Sequence, residues 1–140
     1  MMCPAENPTS DPLKARLPSV LVVEGEVLIR LSIAEFLRDH DMHVVEASSP
    51  TEARSVLLAE VPIDVVFSDA HLADEDPSGP LALWLRENFP KVGLLLTAWA
   101  STGPFDQAAD APVCIEKPYI PEKVMHQIEA LIARRKAQGT

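Results

Sequence analysis

SVLVVEGEVLIR, residues 19–30, runs four apolar residues, Val20 to Val23, into Glu24-Gly25-Glu26 and then changes period. From there Leu28, Ile29, Leu31, Ile33, Phe36 and Leu37 recur at helical spacing between Arg30, Glu35 and Arg38. The stretch predicts a strand, a polar turn and a helix ending near His40-Asp41. Three later runs repeat its first half: Val65-Val66-Phe67-Ser68 ends on Asp69, Leu94-Leu95-Leu96 on Thr97, and Val113-Cys114-Ile115 on Glu116-Lys117-Pro118. Continuous apolar runs separated by helix-period segments read as parallel strands buried on both faces. In an open α/β sheet the chemistry sits at the carboxyl ends of such strands. Acid, carboxylate, hydroxyl and ammonium then converge on one edge, a set suited to phosphate beside a metal ion.

Between these runs, Val44-Val45 reads as a short second strand. Ser48-Ser49-Pro50-Thr51-Glu52 opens a second helix, with serine as N-cap and proline in the first turn, and Pro62 closes it. An acidic loop, Leu72 to Ser78, leads to Leu81, Leu83, Trp84 and Leu85, a third helix closed by Pro90, with Trp84 in its core stripe. Strand four is expected over Val92 to Leu96. Gly103, Pro104 and small polar residues leave Ala98 to Ala111 a feeble apolar stripe, so the fourth helix is expected to be short or irregular. Pro121 starts a fifth, whose buried face is Val124, Met125, Ile128, Leu131 and Ile132, with Arg134-Arg135-Lys136 at the negative end of its dipole. The expected organisation is a flexible proline-rich leader over residues 1–18, one α/β domain over 19–137 and a tail over 138–140.

Composition narrows the function classes. The 140 residues are 47% hydrophobic and 24% charged, ordinary for a single globular domain. A formal net charge of -9 opposes direct nucleic-acid binding. Cys3 and Cys114 make no disulfide framework and fit a reducing compartment. No apolar stretch reaches the roughly 18 to 20 residues of a membrane span, and the N-terminus lacks the order of a secretory signal, so a cytoplasmic location is expected. Asp74-Glu75-Asp76 fails the EF-hand spacing, and the chain contains no zinc spacing, GxGxxG, Walker loop or GxSxG elbow.

Four spaced motifs, LVVEGEVLIR (21–30), IDVVFSDAHL (63–72), LLLTAW (94–99) and CIEKPY (114–119), resemble the receiver domain of bacterial two-component response regulators. The resemblance covers roughly Ser19 to Lys136. It implies a doubly wound, five-stranded parallel sheet of flavodoxin-like type in the order 2-1-3-4-5, an order for which the chemotaxis receiver is itself a reference case. It implies that Asp69 accepts a phosphoryl group from a histidine kinase or phosphotransfer protein. Thr97 and Lys117 then contact the phosphoryl oxygens, and the Lys117-Pro118 peptide is cis. It implies Mg2+ held by Glu24, Asp69 and the main-chain carbonyl of His71. Gly25 stands where the family usually has a second acid, so that ion is expected to be weakly held, with Glu26 as a further candidate ligand or, alternatively, an ordinary acid in the first turn of a helix.

The resemblance also puts Cys114 where many receivers carry an aromatic switch residue coupled to Thr97. A thiol cannot sweep that volume, so the aromatic part of the coupling is either absent or carried by another group such as Trp99 or Tyr119, and Cys114 by itself reads as a small strand hydrophobe. His71 and Trp99 take positions that border the phosphoryl group and tune its hydrolysis. The implied function is a single-domain response regulator that switches interactions with an unidentified downstream protein through helix four, strand five and helix five, and is not a turnover enzyme. The alternative is a degenerate receiver acting as a phosphorylation-independent interaction module. A flavodoxin-like nucleotide or flavin binder is disfavoured, because no glycine- or hydroxyl-rich phosphate loop follows strand one.

Overall fold

The structure is a computed structural model that describes residues 16–70, 81–99 and 113–139. Five strands, β1 (Ser19–Val23), β2 (His43–Ala47), β3 (Val65–Asp69), β4 (Gly93–Trp99) and β5 (Val113–Lys117), form one sheet in the order β2-β1-β3-β4-β5. Every neighbouring pair is parallel. Four helices are described: α1 (Val27–Asp39), α2 (Pro50–Leu58), α3 (Leu81–Asn88) and α4 (Pro121–Gly139). The helix expected within Ala98 to Ala111 falls mainly on residues 100–112, outside the described residues, as do most of the leader and the acidic loop.

Strand alternation divides the core in two. Val20 and Val22 face α1 and α4 with Ile33, Leu37, Val65, Phe67, Leu95, Val124 and Ile128. Leu21 and Val23 face the other way, toward Ala53, Leu57, Val66, Leu81 and Leu85. All five residues of β1 are buried, which is why that strand is an unbroken apolar run. Each fully buried Val or Leu contributes about 1.5–3 kcal/mol of transfer free energy, so the two layers dominate the stability. At the start of β4 a Cβ on Gly93 would lie 3.3 Å from Val65 Cγ2 and 3.4 Å from Leu131 Cβ. The missing side chain lets α4 approach the sheet.

Helix signals in the sequence agree with the structure in detail. Ser49 caps α2 by accepting the Glu52 N–H at 3.1 Å, with Pro50 next. At the far end of α1, Asp41 takes φ 65° while Asp41 N–H bonds Arg38 O and Met42 N–H bonds Leu37 O, a Schellman closure without glycine.

Three expectations need correction. Leu28 and Leu31 are 80% and 47% exposed, whereas Ile33, Ala34 and Leu37 are the buried positions of α1. At 100° per residue, Leu28 lies about 140° from Ile33, so those residues never shared one face. Helix α2 stops at Leu58, before Pro62, because Glu60 turns left-handed at φ 65°. Strand β4 starts and ends later than the apolar run suggested, since Ala98 and Trp99 pair with Glu116 and Lys117 of β5.

Candidate functional site

The site is assembled at the carboxyl ends of β1, β3, β4 and β5. Glu24 follows β1 directly and is fixed from every side. Its N–H donates to Ala47 O at 3.0 Å, its carbonyl accepts from Arg30 Nη1 at 2.9 Å, and its Oε2 accepts the Glu26 N–H at 3.0 Å. Arg30 also donates to Glu46 Oε1 at 3.1 Å, tying α1 to β2 behind the site. Asp69 ends β3, with its side chain 14% exposed at the mouth of an open cleft of about 580 Å³ lined by Glu24, Gly25, Glu26, Val27 and Leu28.

Lys117 ends β5 before the cis Lys117-Pro118 peptide. Its Nζ donates to Asp69 Oδ2 at 2.8 Å and to Glu24 Oε1 at 3.4 Å, and its side chain is 6% exposed. Burial alone would lower the Lys117 pKa, but the hydrogen bond and charge of Asp69, reinforced by Glu24, raise it above the ordinary value. The Trp99 ring centroid lies 5.7 Å from Nζ, a cation–π contact from the residue in register with Lys117 on β4.

Thr97 is in register with Asp69 on the neighbouring strand and is 1% exposed. Its Oγ1 is buried with no hydrogen-bond partner among the described residues. An unmade hydrogen bond of this kind costs about 1–3 kcal/mol, so among the described residues the hydroxyl adds no bond to the fold.

Lys117 thus touches both Glu24 and Asp69, and Thr97 is in register with Asp69 on the next strand. Glu26 lines the same cleft but is exposed, and it stands at the N-cap of α1 with no side-chain capping bond, one position before the first helical turn. His71 lies outside the described residues. Cys114 alternates onto the face of β5 opposite Ile115 and Lys117; it is half-buried, and burial raises its thiol pKa. Tyr119 packs edge-on against Phe67, with ring centroids 5.6 Å apart. Its burial, together with the charges of Glu24 and Asp69, pushes its hydroxyl up to about 12. Sequence reading did not foresee an apolar cavity of about 320 Å³ behind Lys117, where Leu28, Ile29, Trp99, Tyr119 and Pro121 meet. The exposed Leu28, counted in the apolar stripe of the first helix, was its only trace.

The same architecture recurs in solved structures. A response regulator receiver domain protein from Clostridium thermocellum superposes with a TM-score of 0.71 at 21% identity, over 87% of this chain and 99% of that one. A response regulator receiver protein from Sinorhizobium medicae WSM419 gives 0.70 at 23%, over 86% and 98%. The signal receiver domain of a putative LuxO repressor protein from Vibrio parahaemolyticus gives 0.74 at 17%, over 89% and 96%. This chain has the receiver fold. No family model and no curated protein sequence matches it.

The receiver fold implies a magnesium ion, and the described donors do not complete a shell for one. Magnesium asks for near-octahedral oxygen ligation. Here no three of the described His, Cys, Asp and Glu residues group as a metal site would group them, Gly25 brings no carboxylate, and both Glu24 and Asp69 already hold the Lys117 ammonium. Among the described residues, no helix is long and apolar enough to cross a membrane.

Proposed function

We propose that the protein is a single-domain response regulator in which Asp69 accepts a phosphoryl group from a phosphohistidine of a sensor kinase or phosphotransfer protein. The observation that carries this reading is the contact of Asp69 Oδ2 with the Lys117 ammonium beside a buried Thr97 hydroxyl that has no partner among the described residues. A carboxylate oxygen of Asp69 attacks phosphorus, the new O–P bond forms as the P–N bond breaks, and the electron pair leaves on the imidazole nitrogen. The three phosphoryl oxygens carry charge that needs donors in fixed positions. Lys117 supplies a charged donor and Thr97 a neutral one, both oriented by the sheet. The transfer is attributed to these three residues, with no step assigned to magnesium.

The acyl phosphate carries about −1.5 to −2 charge, roughly one more negative charge than the carboxylate it replaces, where Lys117 now bonds Asp69 directly. Lys117 must then follow the phosphoryl oxygens, and the Thr97 hydroxyl donates to one of them. That rearrangement is the proposed switch, read by a downstream protein. The role is signalling, without turnover of a substrate.

Gly25 and Cys114 favour a second reading, a receiver-fold module that binds its partner without phosphate. Incubation with a small phosphodonor and with phosphorylated kinases, followed by intact mass measurement, separates the two. A phosphoryl-sized increase absent from Asp69→Asn is the expected result, and no increase from any donor, across a wide range of magnesium, establishes the second reading.

A further inference from the structure

Nζ of Lys117 lies between the two carboxylates where a divalent cation would seek its ligands. Glu24 has neither oxygen idle, since Oε2 accepts the Glu26 N–H and Oε1 accepts from Lys117. Asp69 gives Oδ2 to the same ammonium at 2.8 Å. Two carboxylates and one ammonium leave the cluster with one net negative charge, and Gly25 adds none. The ammonium is anchored by two charge-assisted hydrogen bonds and by the Trp99 ring, and it is almost wholly buried.

We propose that Lys117 is the resident counter-cation of the Glu24–Asp69 pair and competes with divalent metal for it, so that the protein binds magnesium weakly until the ammonium is removed or an acid is placed at position 25. The inference deepens the reading of Asp69 as a phosphoacceptor and rests on it. The physical reason is charge count. Oxygen sites for hard cations are tuned by the number of charged ligands, and a divalent ion entering here either displaces a buried, doubly bonded ammonium or sits beside it against like-charge repulsion. Deleting the ammonium and adding a carboxylate each bring the cluster to two net negative charges. The two changes act by different routes and predict the same gain.

The test titrates MgCl2 into the full-length chain and reads binding by calorimetry and by tryptophan fluorescence, to which Trp99 beside Lys117 contributes. Gly25→Asp and Lys117→Met are each expected to bind magnesium at least about tenfold more tightly than the wild type. Gly25→Asn, polar but uncharged, is expected to gain far less. Lys117→Gln serves as a second removal of the ammonium should Lys117→Met fail to fold by circular dichroism. Wild-type affinity equal to that of Gly25→Asp, or no gain in either lysine variant, overturns the competition.

Intact mass measurement with phosphodonors keeps the two claims apart. Phosphoryl uptake on Asp69 with unchanged magnesium affinity in the lysine variants sinks the competition and leaves the phosphoacceptor. Tighter magnesium binding in those variants, with no uptake by the wild-type chain from small donors or kinases, supports the competition as a property of the pocket and overturns the phosphoacceptor reading.

Discussion

Asp64 at the amino end of β3 and Asp69 at its carboxyl end are both carboxylates held by cations, and they are held differently. Asp64 Oδ1 accepts from Arg135 at 2.9 Å and from Arg16 at 3.3 Å, while Oδ2 accepts the Ser19 N–H at 2.8 Å. Its carbonyl receives Gly93 N–H and Arg135 as well. Those bonds join the chain before β1, the β3 and β4 starts and the end of α4. Burial alone would raise the Asp64 pKa, but the Ser19 N–H and the two guanidiniums outweigh it and lower the pKa below its ordinary value. At the carboxyl end one ammonium is shared by two carboxylates, and a buried hydroxyl beside them has no partner among the described residues. One end commits its polar groups to holding the fold, while the other shares one ammonium between two carboxylates beside the Thr97 hydroxyl, which has no partner among the described residues.

The contrast is broken most directly at Asp69. Asp69→Asn is expected to abolish phosphoryl uptake, read as intact mass with a phosphodonor, while retaining the folded circular dichroism spectrum. Lys117→Met is expected to slow uptake about 100-fold, the usual scale for removing one charged donor from a transferring group. Uptake at the wild-type rate in that variant would show that Lys117 only packs the pocket.

Asp64→Asn is the counterpart at the other end. It should cost about 1–3 kcal/mol in urea unfolding, less than a fully buried pair because Arg16 is half exposed, with phosphoryl uptake unchanged. A loss of uptake would mean that the two ends are coupled. The pH dependence separates them further. Asp64 has a folded pKa below its ordinary value, so its contribution is present above pH 3.8 and is lost as pH falls through the depressed value. The stability gap between wild type and Asp64→Asn should therefore close in acid. Lys117 has a raised pKa, so its pairing is complete below pH 10.5 and fades only as pH rises through the higher folded value. Measuring urea midpoints of wild type, Asp64→Asn and Lys117→Met from acid to alkali checks both signs.

The smallest effect is expected at Thr97. Thr97→Val removes a hydroxyl that has no partner among the described residues and keeps the shape, so stability should stay level or rise by up to about 1 kcal/mol. A marked destabilisation would mean that the hydroxyl has a folding role after all.

Glu24, Asp69, Thr97 and Lys117 could be found in the sequence because each closes an apolar run, and parallel strands in one sheet deliver such residues to one edge. The Ser49 cap and the Pro121 helix start were equally legible, since their partners lie within one helical turn. Leu28 and Leu31 were misplaced because a crowded apolar segment offers more than one stripe, and only the docked sheet selects Ile33, Ala34 and Leu37. The Asp64 cluster was invisible. Its arginines are 48 and 71 residues away in the chain, and nothing local distinguishes that acid from any other loop aspartate.

Periodicity and strand-end residues alone therefore determined a parallel α/β sheet with Glu24, Asp69, Thr97 and Lys117 on one edge, because both depend on spacings of a few residues. Tertiary structure decided which acid is spent on the fold, that one ammonium bridges Glu24 and Asp69, and that Trp99 lies over it. Those facts depend on distances between residues far apart along the chain, and only packing of the sheet and its helices sets them.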